Sequence, residues 1–280
     1  MIEHLSHSSL ESLAECGEKF RLRKVQGVPG IPMWAGVAGK AIHTVTECHD
    51  WRELGLDRDV PSFDEEFTRA IEGEERLSGV ARAEWYASGR VSREWPNKQD
   101  ERWWRHHGQG MCTAWVNFTA NSPWRVAVLP DGQPAVELEF RVEVGGVPVV
   151  GYIDRIMEDV AKPDVLAVVD IKSSAREPKS DRQLGLYSLA MRQVYGLDIR
   201  WGFYFMVRTG ATTAPVDLRR YWDGRLAHDF RAGWRAVEHG VFLPSPSDMC
   251  RACSVRRACR EFGGEAAGAH LPYEAEVEVA

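Results

Sequence analysis

Residues 136–144 read Val-Glu-Leu-Glu-Phe-Arg-Val-Glu-Val, an unbroken alternation of apolar and charged side chains with a period of two. Only a β-strand turns successive side chains to opposite faces, so this stretch predicts a strand with one buried and one wet face. Gly145-Gly146 ends the run, and a second strand at 147–157 returns from it. A third is expected at 165–171, after a turn at 158–164 that contains Pro163. Glycine pairs and short polar turns between such runs are hairpin signals, and the three strands predict an antiparallel meander.

Pairing the second and third strands about a turn centred near residue 162 sets Asp154 opposite Asp170. Opposed side chains lie ~4.5–5.5 Å apart, where two carboxylates repel unless a cation sits between them. Mg²⁺ or Mn²⁺ is the natural candidate, because both take oxygen ligands and two carboxylates leave room for water and a substrate phosphate. Residues i and i+2 share a strand face, so Lys172 joins Asp170 beside that ion. Most of the 35 basic residues are Arg, which makes this lysine worth inspecting. It could orient or help deprotonate an attacking water, or stabilise a phosphorane-like transition state. A D-x-K triplet alone is more often a surface ion pair worth ~0–1 kcal/mol. Here the apolar run Leu166-Ala167-Val168-Val169 marks a buried strand that delivers the charges into a cleft.

Helical patterns surround the meander. A helix capped at Ser8-Ser9 is expected to run to about Lys24 with Cys16 in its middle, and a second from Gly36 to about Leu54 places His43 and Glu47 on one face. Residues 57–133, rich in charge and Trp, predict a helical lobe without strands. Further elements are a helix at 180–195, strands at 201–207 and 216–219, a helix at 224–238 and a loose acidic tail at 263–280. Helices around a mixed sheet make an α/β fold. With 44% hydrophobic and 27% charged residues the chain can build a core, and its net charge of −6 gives no global reason to bind nucleic acid. No run is long enough to cross a bilayer and Met1-Ile2-Glu3-His4 opens no signal peptide, so the cytoplasm is the expected compartment.

Gly151-Tyr152-Ile153-Asp154-Arg155-Ile156 followed by Asp170-Ile171-Lys172-Ser173-Ser174 resembles two motifs of the PD-(D/E)xK nuclease superfamily, in its RecB-like branch. Gly39-Lys40-Ala41-Ile42-His43 matches the branch's upstream histidine, and Gln183-Leu-Gly-Leu-Tyr187 its Q-x-x-x-Y helix. The resemblance implies a restriction-endonuclease-like core, a mixed central sheet flanked by helices, that hydrolyses DNA phosphodiesters with Mg²⁺ or Mn²⁺. His43, Asp154, Asp170 and the Ile171 carbonyl are the implied metal ligands and Lys172 the catalytic base or water-orienting group. Gln183 and Tyr187 contact DNA or order the site. The expected domain spans 1–262, with the lobe at 57–133, the core at 134–240 and a cysteine segment at 244–262.

Cys250, Cys253 and Cys259 form a C-x2-C-x5-C cluster in need of a fourth ligand; structural zinc is one reading. Iron-sulfur members of the branch, CRISPR-associated and AddB-type exonucleases, take one ligand from an N-terminal helix, and the surroundings of Cys16 resemble it. The resemblance thus implies a [4Fe-4S] cluster on Cys16, Cys250, Cys253 and Cys259. Arg21 to Lys24 and Arg251, Arg256, Arg257 and Arg260 are expected to form a local positive patch that tracks a DNA backbone. The expected function is an exonuclease on single strands or duplex ends, with a helicase, recombination or CRISPR protein as partner. Gly36-Val-Ala-Gly39-Lys40-Ala41 lacks P-loop spacing, so unwinding would fall to another chain. The rivals are a non-catalytic DNA-binding or assembly subunit and a restriction-type endonuclease.

Overall fold

A computed structural model describes residues 2–222, 224–262, 264 and 266–270. Seven strands form one sheet: β1 (Trp124–Val126), β2 (Val136–Val144), β3 (Val147–Asp159), β4 (Lys162–Lys172), β5 (Trp201–Met206), β6 (Ala211–Thr212) and β7 (Val216–Asp217). The central order is β1-β3-β4-β5-β6, with β2 beside β3 and β7 beside β5. The meander β2-β3-β4 is antiparallel, while β4 and β5 run parallel, so the sheet is mixed. The helices are α1 (His7–Glu15), α2 (Gly17–Phe20), α3 (Trp34–Glu53), α4 (Phe63–Ser78), α5 (Glu101–Asn121), α6 (Arg182–Tyr195) and α7 (Arg225–Glu238). Helix α6 is the crossover that parallel neighbours such as β4 and β5 require.

Each face of the sheet carries its own core. On one side Leu5, Leu186, Met191 and Phe230 pack against Phe140, Ile156, Val168 and Tyr204. On the other, Ile42 and Val45 of α3, Phe67 of α4 and Trp104 and Trp115 of α5 cover Ala167, Val169, Phe203 and Phe205. The apolar run of β4 is therefore explained by burial on both faces, each large side chain contributing ~1.5–3 kcal/mol. Serine side chains cap α1 at Ser6 and α4 at Ser62, both in capping boxes.

Several expectations need correction. The first helix stops at Glu15: Cys16 is extended, with φ −162°, and the chain resumes as the single turn α2 and a π-turn at Arg21–Val25. The cause lies at Gly17, whose N–H donates to the Leu243 carbonyl at 2.9 Å. A β-carbon there would stand 2.7 Å from the Leu243 nitrogen, so helix geometry gives way to a close backbone approach. The region at 57–133 is not wholly helical, since β1 lies within it and pairs with β3. The turn between β3 and β4 shrinks to Val160-Ala161, leaving Pro163 inside β4. Most of the expected tail at 263–280 lies outside the described residues.

The iron-sulfur expectation is overturned. Among the described residues, the only group of three or more His, Cys, Asp or Glu whose ligand atoms all lie within 4.8 Å of one another is His43, Glu137 and Asp154. Cys16, Cys250, Cys253 and Cys259 form no such group, which removes both the [4Fe-4S] cluster and the zinc alternative, and with them the iron-sulfur segment of the fold and the assignment to the cluster-bearing members of the branch. Cys253 and Cys259 pack instead against Leu22, Val28, Val255 and Ala258, and burial pushes both thiols up. The C-terminal segment is tied to the N-terminal turns by hydrogen bonds: Ile31 N–H donates to the Ser254 carbonyl at 2.8 Å and Arg21 to the His270 carbonyl at 2.6 Å. The expected positive patch is also partly consumed, because Arg21 pairs with buried Glu18 and Arg257 with Glu84.

Candidate metal centre

The ladder between β3 and β4 runs to Arg155↔Val169, the register expected from the turn, and Asp154 and Asp170 follow one step beyond it. There the strands part. The Ile171 N–H donates to Asp154 Oδ2 at 2.8 Å in place of a cross-strand carbonyl, and this bond fixes the carboxylate. Both aspartates are buried, at 6% and 1% exposure.

Helix α3 brings His43 to the opening. Its Nε2 lies 3.1 Å from the Ile171 carbonyl oxygen, while Nδ1 lies 3.2 Å from Glu137 Oε1 and 3.6 Å from Asp154 Oδ2. Glu137 completes the convergence. Read from alternation alone, Glu137 belongs on the wet face of β2. Its backbone instead adopts φ 47°, a left-handed conformation that costs a non-glycine residue energy and turns the carboxylate inward. A signal for it existed in the sequence. The β2-β3 rungs Val136↔Arg155 and Leu138↔Ile153 bracket Glu137 and Asp154, so the hairpin around Gly145-Gly146 already sets the two opposite each other.

Asp170 does not join that triad. Its Oδ2 is 2.6 Å from Lys172 Nζ, an ion-pair distance, yet this buried oxygen receives no aligned hydrogen bond. Lys172 donates to Gln183 Oε1 at 2.8 Å, and Gln183 Nε2 donates to the Tyr187 hydroxyl at 2.7 Å. Gln183 and Tyr187, one turn apart on α6, thus form a chain behind the lysine, with Tyr187 only 5% exposed.

Charge crowding shows in the protonation of the cluster. Burial opposes a charged imidazole, but Asp154 and Glu137 outweigh it and raise His43 to about 9. Burial and the neighbouring Asp154 push Asp170 up to about 7, against the pull of Lys172. Burial likewise opposes the charge of Lys172, and Asp170 and Asp154 overcome it and hold its pKa above the ordinary value. Such a concentration of buried carboxylates calls for positive charge, and His43 and Lys172 both face it.

The donor set fits a hard divalent cation: one imidazole, carboxylates from three strands, a main-chain carbonyl and a buried carboxylate oxygen with no hydrogen bond. The three ligand atoms of His43, Glu137 and Asp154 could hold such an ion together.

The family model described as "PD-(D/E)XK nuclease superfamily" matches residues 4–260. The chain is 27% identical over 290 residues to the Gene 69 protein of Mycobacterium phage L5, a match covering 92% of this chain and 96% of that one. It is 34% identical over 155 residues to the Gene 69 protein of Mycobacterium phage D29, covering 53% of this chain and 55% of that one. A crystal structure of a putative exonuclease from Eubacterium rectale aligns with 90% of this chain and 87% of its own, with a TM-score of 0.46 and 13% identity.

Proposed function

The chain belongs to the PD-(D/E)XK nuclease superfamily, and from that premise we propose that it is a deoxyribonuclease, dependent on Mg²⁺ or Mn²⁺, that digests single strands or duplex ends as an exonuclease. The observation that carries this reading is the convergence of His43, Glu137 and Asp154 within 4.8 Å, one strand away from the ion pair of Lys172 and Asp170. His43, Asp154, the Ile171 carbonyl and Asp170, joined by Glu137, would hold the cation. When bound, the cation lowers the pKa of a water and polarises the phosphodiester, so hydrolysis needs no covalent enzyme intermediate. To hold the cation, His43 would be neutral and offer the Nδ1 lone pair that faces Glu137 and Asp154. Lys172 turns its ammonium toward the attacking water or the charge developing on phosphorus. Gln183 and Tyr187 act as positioning residues, since the chain of hydrogen bonds from the tyrosine hydroxyl restrains the lysine. No helix among the described residues is long and apolar enough to cross a membrane.

Purified protein with Mn²⁺ or Mg²⁺ and DNA labelled at either end provides the test. Progressive loss of nucleotides from linear single-stranded or duplex substrates, absent in Lys172→Ala and Asp154→Ala, is the expected result. Discrete fragments from closed circular DNA would instead make the protein an endonuclease. Equal digestion by wild type and both variants would remove the catalytic assignment and leave a DNA-binding subunit on a nuclease fold.

A further inference from the structure

The segment between α4 and α5 and the start of α5 form an aromatic surface that the proposed reaction does not use. The Trp103 and His107 rings stack at 4.2 Å between centroids with 21° between planes. Trp95 closes on His107 at 5.2 Å and on His106 at 5.4 Å, and the Arg102 guanidinium lies 5.4 Å from the Trp95 ring. Trp104, fully buried, anchors the assembly by its edge-to-face contact with Trp103 at 4.8 Å. Trp95, Trp103 and His107 stay half-buried, and His106 and Arg102 are exposed.

Arg208 connects this surface to the metal centre. Its guanidinium sits 4.8 Å from the Trp103 ring and 4.9 Å from Trp104, and its Nε donates to the Ser173 carbonyl at 2.6 Å. Ser173 directly follows Lys172. Among the described residues no carboxylate forms an ion pair with Arg208, although it is half-buried and burial lowers its pKa. Its Nη2 also donates to Gln99 Oε1 at 3.2 Å, and among the described residues no acceptor meets Nη1; a cationic donor of this kind beside a phosphodiester-cleaving site matches an anionic oxygen.

We propose that Trp95, Trp103, His106 and His107 form a base-stacking platform for single-stranded DNA, with Arg208 holding a backbone phosphate between the platform and the metal centre. The inference rests on the nuclease reading and specifies its substrate as an unpaired strand. Stacking on aromatic faces tolerates any sequence, whereas a duplex keeps its bases stacked on each other and cannot use the platform. Alternating rings and guanidinium groups complement bases and phosphates, and the platform is continuous with the end of β4.

The test uses the full-length protein with a fluorescein-labelled 20-residue oligothymidylate, its abasic counterpart and a 20-base-pair duplex, each titrated in metal-free buffer and followed by anisotropy. The wild type is expected to bind the oligothymidylate more tightly than the abasic strand by roughly 5- to 150-fold, and this preference should shrink in Trp95→Ala and in the exposed His106→Ala. Arg208→Gln should weaken both strands and lower the salt dependence by about one phosphate's worth. Trp95→Phe, which keeps an aromatic face, should rescue the preference and separates lost stacking from lost folding. An unchanged preference in the alanine variants, or equal binding of both strands by the wild type, would overturn the platform. Digestion of the same oligothymidylate with Mn²⁺ is read separately. Platform-dependent binding without digestion would sink the nuclease reading and leave the binding site standing.

Discussion

Arg155 is the fully buried cation that fixes the carboxylates of the site. Its Nε donates to Asp50 Oδ2 at 2.5 Å, and its Nη1 donates both to Glu137 Oε1 at 3.0 Å and to the Asp154 carbonyl at 2.6 Å. The Trp115 indole donates to Asp50 from behind at 2.9 Å. Breaking a buried pair on one side strands the other charge, so Arg155→Met should destabilise the fold by ~3–5 kcal/mol, while Asp50→Leu combined with it should restore part of that loss. Urea denaturation of the two singles and the double measures this, and additive losses would show that the pair does not act as a unit. Glu137→Gln removes a ligand charge and should weaken Mn²⁺ binding at least ~10-fold by calorimetry, the lower bound of what outer-shell partners alone contribute. His7 gives a pH signature. Burial, reinforced by Lys172 and Arg182, lowers its pKa to about 4, and its Nε2 is buried without a hydrogen bond. The unfolded chain takes up this proton near 6.5 and the native state only near 4, so the contribution of His7 is intact above 6.5 and is lost as pH falls toward 4. The loss amounts to roughly 3 kcal/mol, and His7→Asn should flatten stability across that window relative to wild type. At this scale the motif residues Asp154, Asp170 and Lys172 were legible because strand periodicity alone brings them near one another. Glu137 was hidden by the same rule, since a left-handed backbone angle breaks the alternation that the reading relied on. Arg155 and Asp50 were hidden because a buried ion pair joins residues far apart in the sequence.

The meander is the element whose reading carried furthest. Alternation and two turns gave the boundaries of β2, the register of β3 against β4 and the opening at which Asp154 and Asp170 emerge. Helices α3 and α6, which supply His43, Gln183 and Tyr187, were read within two residues of their observed bounds. The region before β1 was legible as helical, and α4 and α5 lie there, but their placing was not, because it is tertiary: they pack against α3, and α5 comes so close to α4 that Gly108 has no room for a side chain. A β-carbon there would meet the Phe63 ring at 2.1 Å. Gly108→Ala should therefore cost ~1–3 kcal/mol despite the better helix propensity of alanine, as read from thermal unfolding. A neutral or stabilising effect would mean that Phe63 and α4 move freely against α5. Short β6 escaped the reading for another reason, since a two-residue strand at a sheet edge carries no periodicity, whereas β7 was read at 216–219 and ends two residues earlier.

Across the whole molecule, the sheet separates two cores, and the N-terminal turns meet the described C-terminal segment at one side. The N-terminal turns and the segment around 242–258 are joined by the Gly17 N–H bond to Leu243, the Ile31 bond to Ser254 and the small core of Leu22, Val28, Val255 and Ala258. Cysteine spacing suggested a different clamp at this place. Spacing reports only how far apart thiols lie along the chain, whereas the fold directs Cys253 and Cys259 into apolar packing. Gly17→Ala should loosen the clasp, because a new methyl group meets backbone that has no rotamer to yield, and limited proteolysis should then cleave the C-terminal segment faster than in wild type. The same clasp keeps α1 against α6 and α7 on the face of the sheet that carries Lys172. The account stands or falls on the cation at the strand opening, and Mn²⁺ binding followed by electron paramagnetic resonance reads it without requiring turnover. Wild-type protein should sequester Mn²⁺ at a site that Asp154→Ala and His43→Ala abolish while their circular dichroism stays native. Equal sequestration by wild type and both folded variants would contradict it.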